Sequence, residues 1–251
     1  MNILLIGESS KDIFIYGNCE RLNPEAPTPV FIPQHNIEND GMAGNVKNNI
    51  AALGYRCEFI TNKKVCSKTR YVDEQSNYIL LRVDDDITYS SLVYKSLPDL
   101  KKYDLVIISD YNKGLLSEDI IKEISLNSKL TFIDTKKPIG NWIKNCSYIK
   151  LNNKEYHQNK SFIDQNLKEK TIITLGSGGC KSNDTHINAN KVEVRDVVGA
   201  GDTFLAALSI KYLESKNILE SMKFANKCAS EVVKYRGVTT PCNNYPIILK
   251  M

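Results

Sequence analysis

Asp196-Val197-Val198-Gly199-Ala200-Gly201-Asp202-Thr203-Phe204 sets three small residues and a carboxylate at the head of an apolar run, Phe204, Leu208 and Tyr212, that repeats at four. That period is helical, and the small residues let the chain turn sharply just before the helix and lie close to a ligand. The first amides of such a helix have no acceptor within it and, with the helix dipole, favour an anion above them. Asp202, at the mouth of the turn, is placed to act as a base toward a hydroxyl held beside that anion. A carboxylate after glycines equally suits a plain helix N-cap.

Upstream, short apolar runs rich in β-branched residues recur at Asn2 to Ile6, Tyr78 to Val83, Leu105 to Ser109, Thr131 to Asp134, Tyr148 to Leu151 and Ile172 to Leu175. They read as buried strands. Helical patterns separate several of them: Val46, Ile50 and Leu53 stopping at Gly54; Ile120, Ile121 and Ile124 after Ser117; and a last helix from about Leu219 to near Gly237. Alternation of this kind predicts right-handed crossovers and a mostly parallel sheet with helices on both faces. Residues 12–40 break the rhythm. Pro24, Pro27, Pro29 and Pro33 exclude a long helix there and suit short strands joined by turns, either a lid over the site or a surface insertion.

The 251 residues allow one large domain, 1–251, with 12–40 as its lid excursion. A net charge of +4, spread over 33 basic and 29 acidic residues without long like-charge runs, suits small anionic ligands rather than nucleic acid. Seven cysteines (19, 57, 66, 146, 180, 228 and 242) form no C-x-x-C pair, and the three histidines make no ligand cluster with them. Buried thiols in a reducing compartment are expected. The N-terminal apolar run is too short for a signal segment and no run approaches a membrane span, so a soluble, cytoplasmic protein without a membrane partner is expected. Gly178-Gly179-Cys180-Lys181-Ser182 looks superficially like a phosphate-binding loop, but its glycine spacing is wrong, and Lys181 is expected at the surface.

The run 196–204 resembles the C-terminal signature of the PfkB, ribokinase-like family of carbohydrate kinases, roughly D-x-x-G-A-G-D-x-F, at every fixed position. Further likenesses follow in family order. Asp12, and Gly41 to Asn45 opening a helix, resemble the sugar-binding elements; Asn152-Asn153-Lys154-Glu155 resembles N-x-x-E; Thr174-Leu175-Gly176-Ser177-Gly178-Gly179 resembles the nucleotide loop T-x-G-x-x-G. Within the family the likeness is greatest to the heptose-7-phosphate kinases of lipopolysaccharide precursor synthesis, through Asn23 to Val30, Lys68-Thr69-Arg70-Tyr71-Val72, Leu81 to Asp84 and Ser109 to Gly114. The likeness is to their kinase domain alone, with no nucleotidyltransferase segment before Met251.

That resemblance implies a ribokinase-like α/β fold with a small β lid, and phosphoryl transfer from ATP with Mg2+ to a sugar or sugar phosphate. Asp202 would be the base, with Gly199, Ala200 and Gly201 around the transferred group. Asn152, Glu155, Thr174, Gly176, Gly179 and Lys136 would meet the nucleotide, with Asp134 near the triphosphate and Glu155 holding magnesium through water. Asp12, Gly41 and Asn45 would meet the sugar, and Arg70 and Lys113 would suit an acceptor that already bears a phosphate, though each equally suits a solvated surface charge. Homodimerisation through the lid is a further implication. Another sugar or a nucleoside as acceptor, or an inactive sugar or nucleotide sensor, are the alternatives.

Two departures from the family pattern stand out. Met42 occupies a position usually held by glycine, and a Met is not expected at the positive φ open to glycine. Between Ile60-Thr61-Asn62 and Lys68-Thr69-Arg70 the helix and strand that family members carry are missing, so the sheet edge there needs a cap from a loop or a partner.

Overall fold

The computed structural model describes residues 1–85 and 87–241. Cys242, expected as a buried thiol, lies outside them; the other six cysteines are free, four of them buried.

An eight-stranded sheet carries the chain. Its strands are β1 (Ile3–Gly7), β4 (Glu58–Ile60), β7 (Leu105–Asp110), β8 (Thr131–Thr135), β9 (Tyr148–Asn152), β10 (Thr171–Thr174), β11 (Cys180–Ser182) and β12 (Thr185–Ile187), in the spatial order β12-β11-β10-β9-β8-β7-β1-β4. All pairings from β4 to β10 are parallel, and only β11 and β12 run antiparallel. Because side chains alternate along a strand, β1 and β7 feed two cores. Ile3, Leu5, Leu105 and Ile107 pack with α1 (Ala43–Ala52), α5 (Ala200–Ser215) and α6 (Ile218–Val232), whereas Leu4, Ile6, Val106 and Ile108 pack with α2 (Glu118–Asn127), Trp142 and Leu167. The expected fold, a mostly parallel sheet with helices on both faces, is the one found.

Local signals placed the helices. Ser117 caps α2 by accepting the Ile120 amide, 3.2 Å away, and Asn217 caps α6 at 3.1 Å through the Glu220 amide. α6 ends at Val232, short of the expected Gly237.

The excursion after β1 supplies β2 (Ser9–Leu22) and β3 (Pro29–Met42) of a second, four-stranded sheet ordered β3-β2-β5-β6, which β5 (Cys66–Asp73) and β6 (Ile79–Asp84), from beyond residues 12–40, complete. Two expectations are corrected there. β2 and β3 are fourteen residues each, not short strands. Prolines are tolerated because Pro29 begins its strand and Pro33 sits beside a register shift, where no regular ladder bond is lost. The run Tyr78 to Val83 is a strand but an exposed one: Ile79, Leu80, Leu81 and Val83 are all solvent-exposed, since β6 is an edge of a sheet with no helix laid over this strand.

Met42 also departs from expectation. It lies at φ 58°, ψ −133°, buried at the start of α1. Pairing with Ser9 on one side and the Ala43 amide bond to the Glu8 carbonyl, 2.9 Å, on the other hold the backbone there despite the side chain. At the opposite edge of the large sheet, β4 is three residues long, and among the described residues no strand lies outside it. Its brevity, and Glu58 bonded to the Tyr103 hydroxyl, leave little ladder for another chain to extend.

Candidate active site

The C-terminal ends of the parallel strands converge on the start of α5, where open α/β sheets place ligands. Gly199 is the N-cap of α5 at φ 78°, and a Cβ there would come within 2.7 Å of the Asn45 amide nitrogen, so glycine is required by conformation and by space. The Ala200 amide turns back to the Val197 carbonyl at 3.3 Å and Thr203 bonds to the Gly199 carbonyl at 3.0 Å. Helix geometry leaves Gly201 and Asp202 as the amides without an acceptor inside the helix. Ala200 is therefore a spacer rather than a donor.

Asp202 is 7% exposed. It does not cap its helix, since the N-cap is Gly199 without a side-chain bond. Its Oδ2 accepts the Asn45 side-chain amide at 3.0 Å and its Oδ1 accepts the Tyr111 hydroxyl at 2.7 Å. Burial pushes its pKa up to about 6; Asn45 and Tyr111 oppose the rise, Asp134 adds to it and Lys150 counters it. A carboxylate that takes up a proton near neutrality suits a general base. Asn45 is itself held by Asn49, one turn on, at 3.0 Å.

Beside Asp202 lies a chain of alternating charges. Asp134, at the end of β8, accepts from Lys150 Nζ at 2.6 Å and Lys136 Nζ at 3.3 Å. Burial alone would raise its pKa, but the two lysines hold it below the ordinary value. Lys136 reaches on to Glu155 Oε1 at 2.5 Å. Asn152 ends β9 and caps α3 (Asn153–Asn159) in a reciprocal box: its Oδ1 accepts the Glu155 amide at 2.9 Å, and Glu155 Oε2 accepts the Asn152 amide at 2.8 Å. Among the described residues no group of three or more His, Cys, Asp or Glu gathers to hold a metal. Both oxygens of Glu155 are engaged, Oε1 by Lys136 and Oε2 by the Asn152 amide, so this carboxylate would meet magnesium through the ion's waters, of which magnesium keeps several.

The nucleotide-loop residues are a strand end and a tight turn. Thr174 closes β10, Gly176 has φ 59°, and Gly179 has φ 87° with no room for a side chain, a Cβ falling 2.0 Å from the Ile187 carbonyl. A strand, β11, follows the glycines instead of a helix, so Lys181 belongs to no phosphate-binding loop; it lies over the Tyr156 ring at 5.5 Å.

On the lid side, Asp12 of β2 and Arg70 of β5 form a buried ion pair, Nη1 to Oδ1 2.8 Å. Gly41 is needed because a Cβ would fall 2.2 Å from Asp12 Oδ2. Arg70, read as a phosphate anchor or a surface charge, is neither solvated nor unpaired: it also stacks on the Phe14 ring at 4.9 Å. Lys113 follows Asn112 in the loop after β7, its amide on Glu8 Oε1 at 3.1 Å.

Asp202, Asn45, Asp134, Lys136, Asn152 and Glu155 thus lie along one continuous strip. Sequence reading missed Lys150, Tyr111 and the pair Glu8 and Asp110. For Lys150, Glu8 and Asp110 the available signal was a charged residue within or just after an apolar strand run, since charged residues are seldom buried without a partner; Tyr111 carried no such signal. Asp110, fully buried, is held by Lys137 Nζ at 2.8 Å and by Thr135.

A family model described as pfkB family carbohydrate kinase matches residues 55–244. The chain is 30% identical to a bifunctional protein HldE of Bradyrhizobium diazoefficiens, over 94% of its own length and 60% of the relative's, and 30% identical to that of Aliarcobacter butzleri, over 95% and 62%. It thus spans about 60% of these relatives. The alignments run to 297 and 298 residues against 251 here, so the relatives carry stretches with no counterpart in this chain. Among solved structures, ribokinase from Thermotoga maritima superposes with a TM-score of 0.76 at 17% identity, covering both chains fully. Arabidopsis thaliana ribokinase, solved with ribose and ATP, superposes at 0.71 and 15%, covering 100% of this chain and 99% of that one.

Proposed function

The chain belongs to the pfkB family of carbohydrate kinases, and on that premise we propose that it transfers the γ-phosphoryl group of ATP to a hydroxyl of a sugar or sugar phosphate, with Asp202 as general base. One observation carries the reading: a buried carboxylate with a pKa raised to about 6 sits in the first turn of a glycine-led helix, beside the amides of Gly201 and Asp202.

In this reading the nucleotide lies along the strand ends, against Thr174, Gly176 and Gly179, with Asn152 and Lys136 toward its phosphates. Glu155 would hold Mg2+ through water, where it would supply positive charge against the phosphates. The phosphoryl group in transfer spreads negative charge over its oxygens, which the α5 amides and the nearby lysines face without reorganising. Asp12, Gly41 and Asn45 line the sugar side, and Asp202 takes the proton of the attacking hydroxyl as the bond to phosphorus forms. Lys113 serves an acceptor phosphate; Arg70 acts mainly by holding Asp12.

A heptose 7-phosphate is the acceptor proposed first, on the sequence resemblance, which would place the reaction in lipopolysaccharide precursor synthesis. The four-stranded sheet is proposed as the lid and, through its exposed apolar residues, as a homodimer contact. Six free cysteines support a reducing, cytoplasmic setting.

Coupled ADP-release assays over seven-carbon sugar phosphates, fructose phosphate, pentoses and nucleosides test the proposal. Turnover greatest with a heptose 7-phosphate is expected. Turnover only with another acceptor would move the specificity, and ligand binding without any turnover would make the chain a sensor.

A further inference from the structure

Resting on the kinase reading, the structure gives Asp202 a partner that the family likeness did not point to. Glu8 follows β1 and is completely buried. Its Oε2 accepts the Tyr111 amide at 2.8 Å, and its Oε1 accepts the amides of Lys113 at 3.1 Å and Leu115 at 3.3 Å. One carboxylate thus gathers three alternate amides, 111, 113 and 115, of the single loop between β7 and α2.

The backbone of that loop is bent to allow it. Asn112 lies at φ 56° and Gly114 at φ 100°, where a Cβ would fall 2.5 Å from the Tyr89 carbonyl. Asp110, anchored by Lys137, fixes the loop's entry by accepting the Asn112 amide at 3.1 Å. What the loop delivers is Tyr111, whose hydroxyl donates to Asp202 Oδ1 at 2.7 Å. Lys68 of β5 and Lys136 lie against the same ring, 5.6 and 5.7 Å from its centre.

We propose that Tyr111, held in place by Glu8, is a positioning residue for the base: its phenol fixes the direction of the Asp202 carboxylate and favours the ionised form, leaving the free lone pairs toward the acceptor hydroxyl. A carboxylate has about four lone-pair sites, so the bonds from Tyr111 and Asn45 leave room for a third donor. Burial and the neighbouring carboxylates keep Tyr111 a donor by raising its pKa well above the ordinary value. The charged groups around the pair are Asp134 from β8, Lys136 beyond it, Lys150 from β9, Asp12 from β2 and Lys68 from β5.

The test is the titration of Asp202 followed by carbon NMR of carboxyl-labelled aspartate, its resonance assigned by its absence in Asp202→Asn. A midpoint near 6 is expected in the parent chain. In Tyr111→Phe, which keeps the ring, the midpoint should rise by about one pH unit, the size expected for losing one hydrogen bond to a charged group. The acid limb of kcat/KM should move with it. An unmoved midpoint overturns the proposal. Hydrogen exchange on the parent chain tests the clamp: the amides of Tyr111, Lys113 and Leu115 should be protected together, and exchange at open-loop rates would remove Glu8 from the argument. If no sugar is turned over at all, the kinase reading fails while the titration still decides the role of Tyr111.

Discussion

The end of the large sheet and the small four-stranded sheet treat polar and apolar groups in opposite ways. At the strand ends, charges are buried and matched: Glu8, Asp110, Asp134, Lys137 and Lys150 are all at most 9% exposed, each tied to a partner of opposite charge or to backbone amides. In the small sheet, Ile32, Ile37, Ile79, Leu81 and Val83 stand in solvent although Phe14 and Val72 are buried, and among its described ion pairs Asp12–Arg70 is buried while Lys11–Asp40 and Arg82–Asp84 are exposed. Buried pairs do little for stability compared with apolar packing of the same volume, but they hold groups to one geometry. An exposed apolar sheet does the reverse, leaving a surface that is costly in water unless something covers it. Rigid electrostatics thus sit where a reaction needs fixed donors, and unsatisfied apolar area sits where a cover can move or a second subunit can dock.

The contrast is broken most severely at its centre. Asp202→Asn should lower turnover by roughly 10³-fold or more while nucleotide binding persists, as measured by steady-state kinetics beside calorimetry. Normal turnover would exclude Asp202 as base. The same variant sharpens the energetics. Because the folded pKa of about 6 lies above the ordinary 3.8, the native state binds the proton more tightly than the unfolded chain. The parent's stability contribution from this group is therefore present below about 4 and lost as pH rises through 6, up to about 3 kcal/mol. Asp202→Asn should melt higher than the parent at pH 8, with the advantage fading toward pH 4.

Lys137→Met leaves Asp110 buried beside Glu8 without its cation. Stranding a buried charge costs about 3–5 kcal/mol, which for a chain of this size lowers Tm by roughly 10 °C, read by calorimetry. A change below about 1 kcal/mol would mean that the cluster holds the loop through packing rather than charge.

The smallest expected effect on stability comes from the other region. Leu81→Glu on β6 should change unfolding free energy by no more than about 0.5 kcal/mol, yet convert a dimer into a monomer in light scattering. A parent chain that is already monomeric would remove the dimer from the proposal and leave the lid alone.

Much of the fold was legible because its strands are short apolar runs and its helices carry local stop and start signals, as at Gly54 and Ser117. The small sheet was less so. The prolines at 29 and 33 argued for short strands, and only the pairing with β2 shows them at a strand start and beside a register shift, where they cost nothing. β6 illustrates the same limit from the other side: Ile79-Leu80-Leu81 is as apolar as a buried strand, and its exposure depends on what the fold lays over it. Met42 was misjudged because steric maps describe a residue alone, while here flanking bonds from β2 and Glu8 impose the angle.

For the site, Asp202 and the glycines at 199 and 201 stood out as a sharp turn into a helix, a pattern within a few residues, whereas Asn152 and Glu155 came only through the family resemblance and their reciprocal capping box only through the structure. Nothing local could say that Tyr111 reaches Asp202, that Lys150 balances Asp134, or that Arg70 is spent on Asp12. Those contacts join residues 16 to 91 positions apart. The first two exist because parallel strands bring their C-terminal ends to one edge, and the third because β2 and β5 pair in the small sheet; charge matching of this kind is a property of the assembled sheets rather than of any segment.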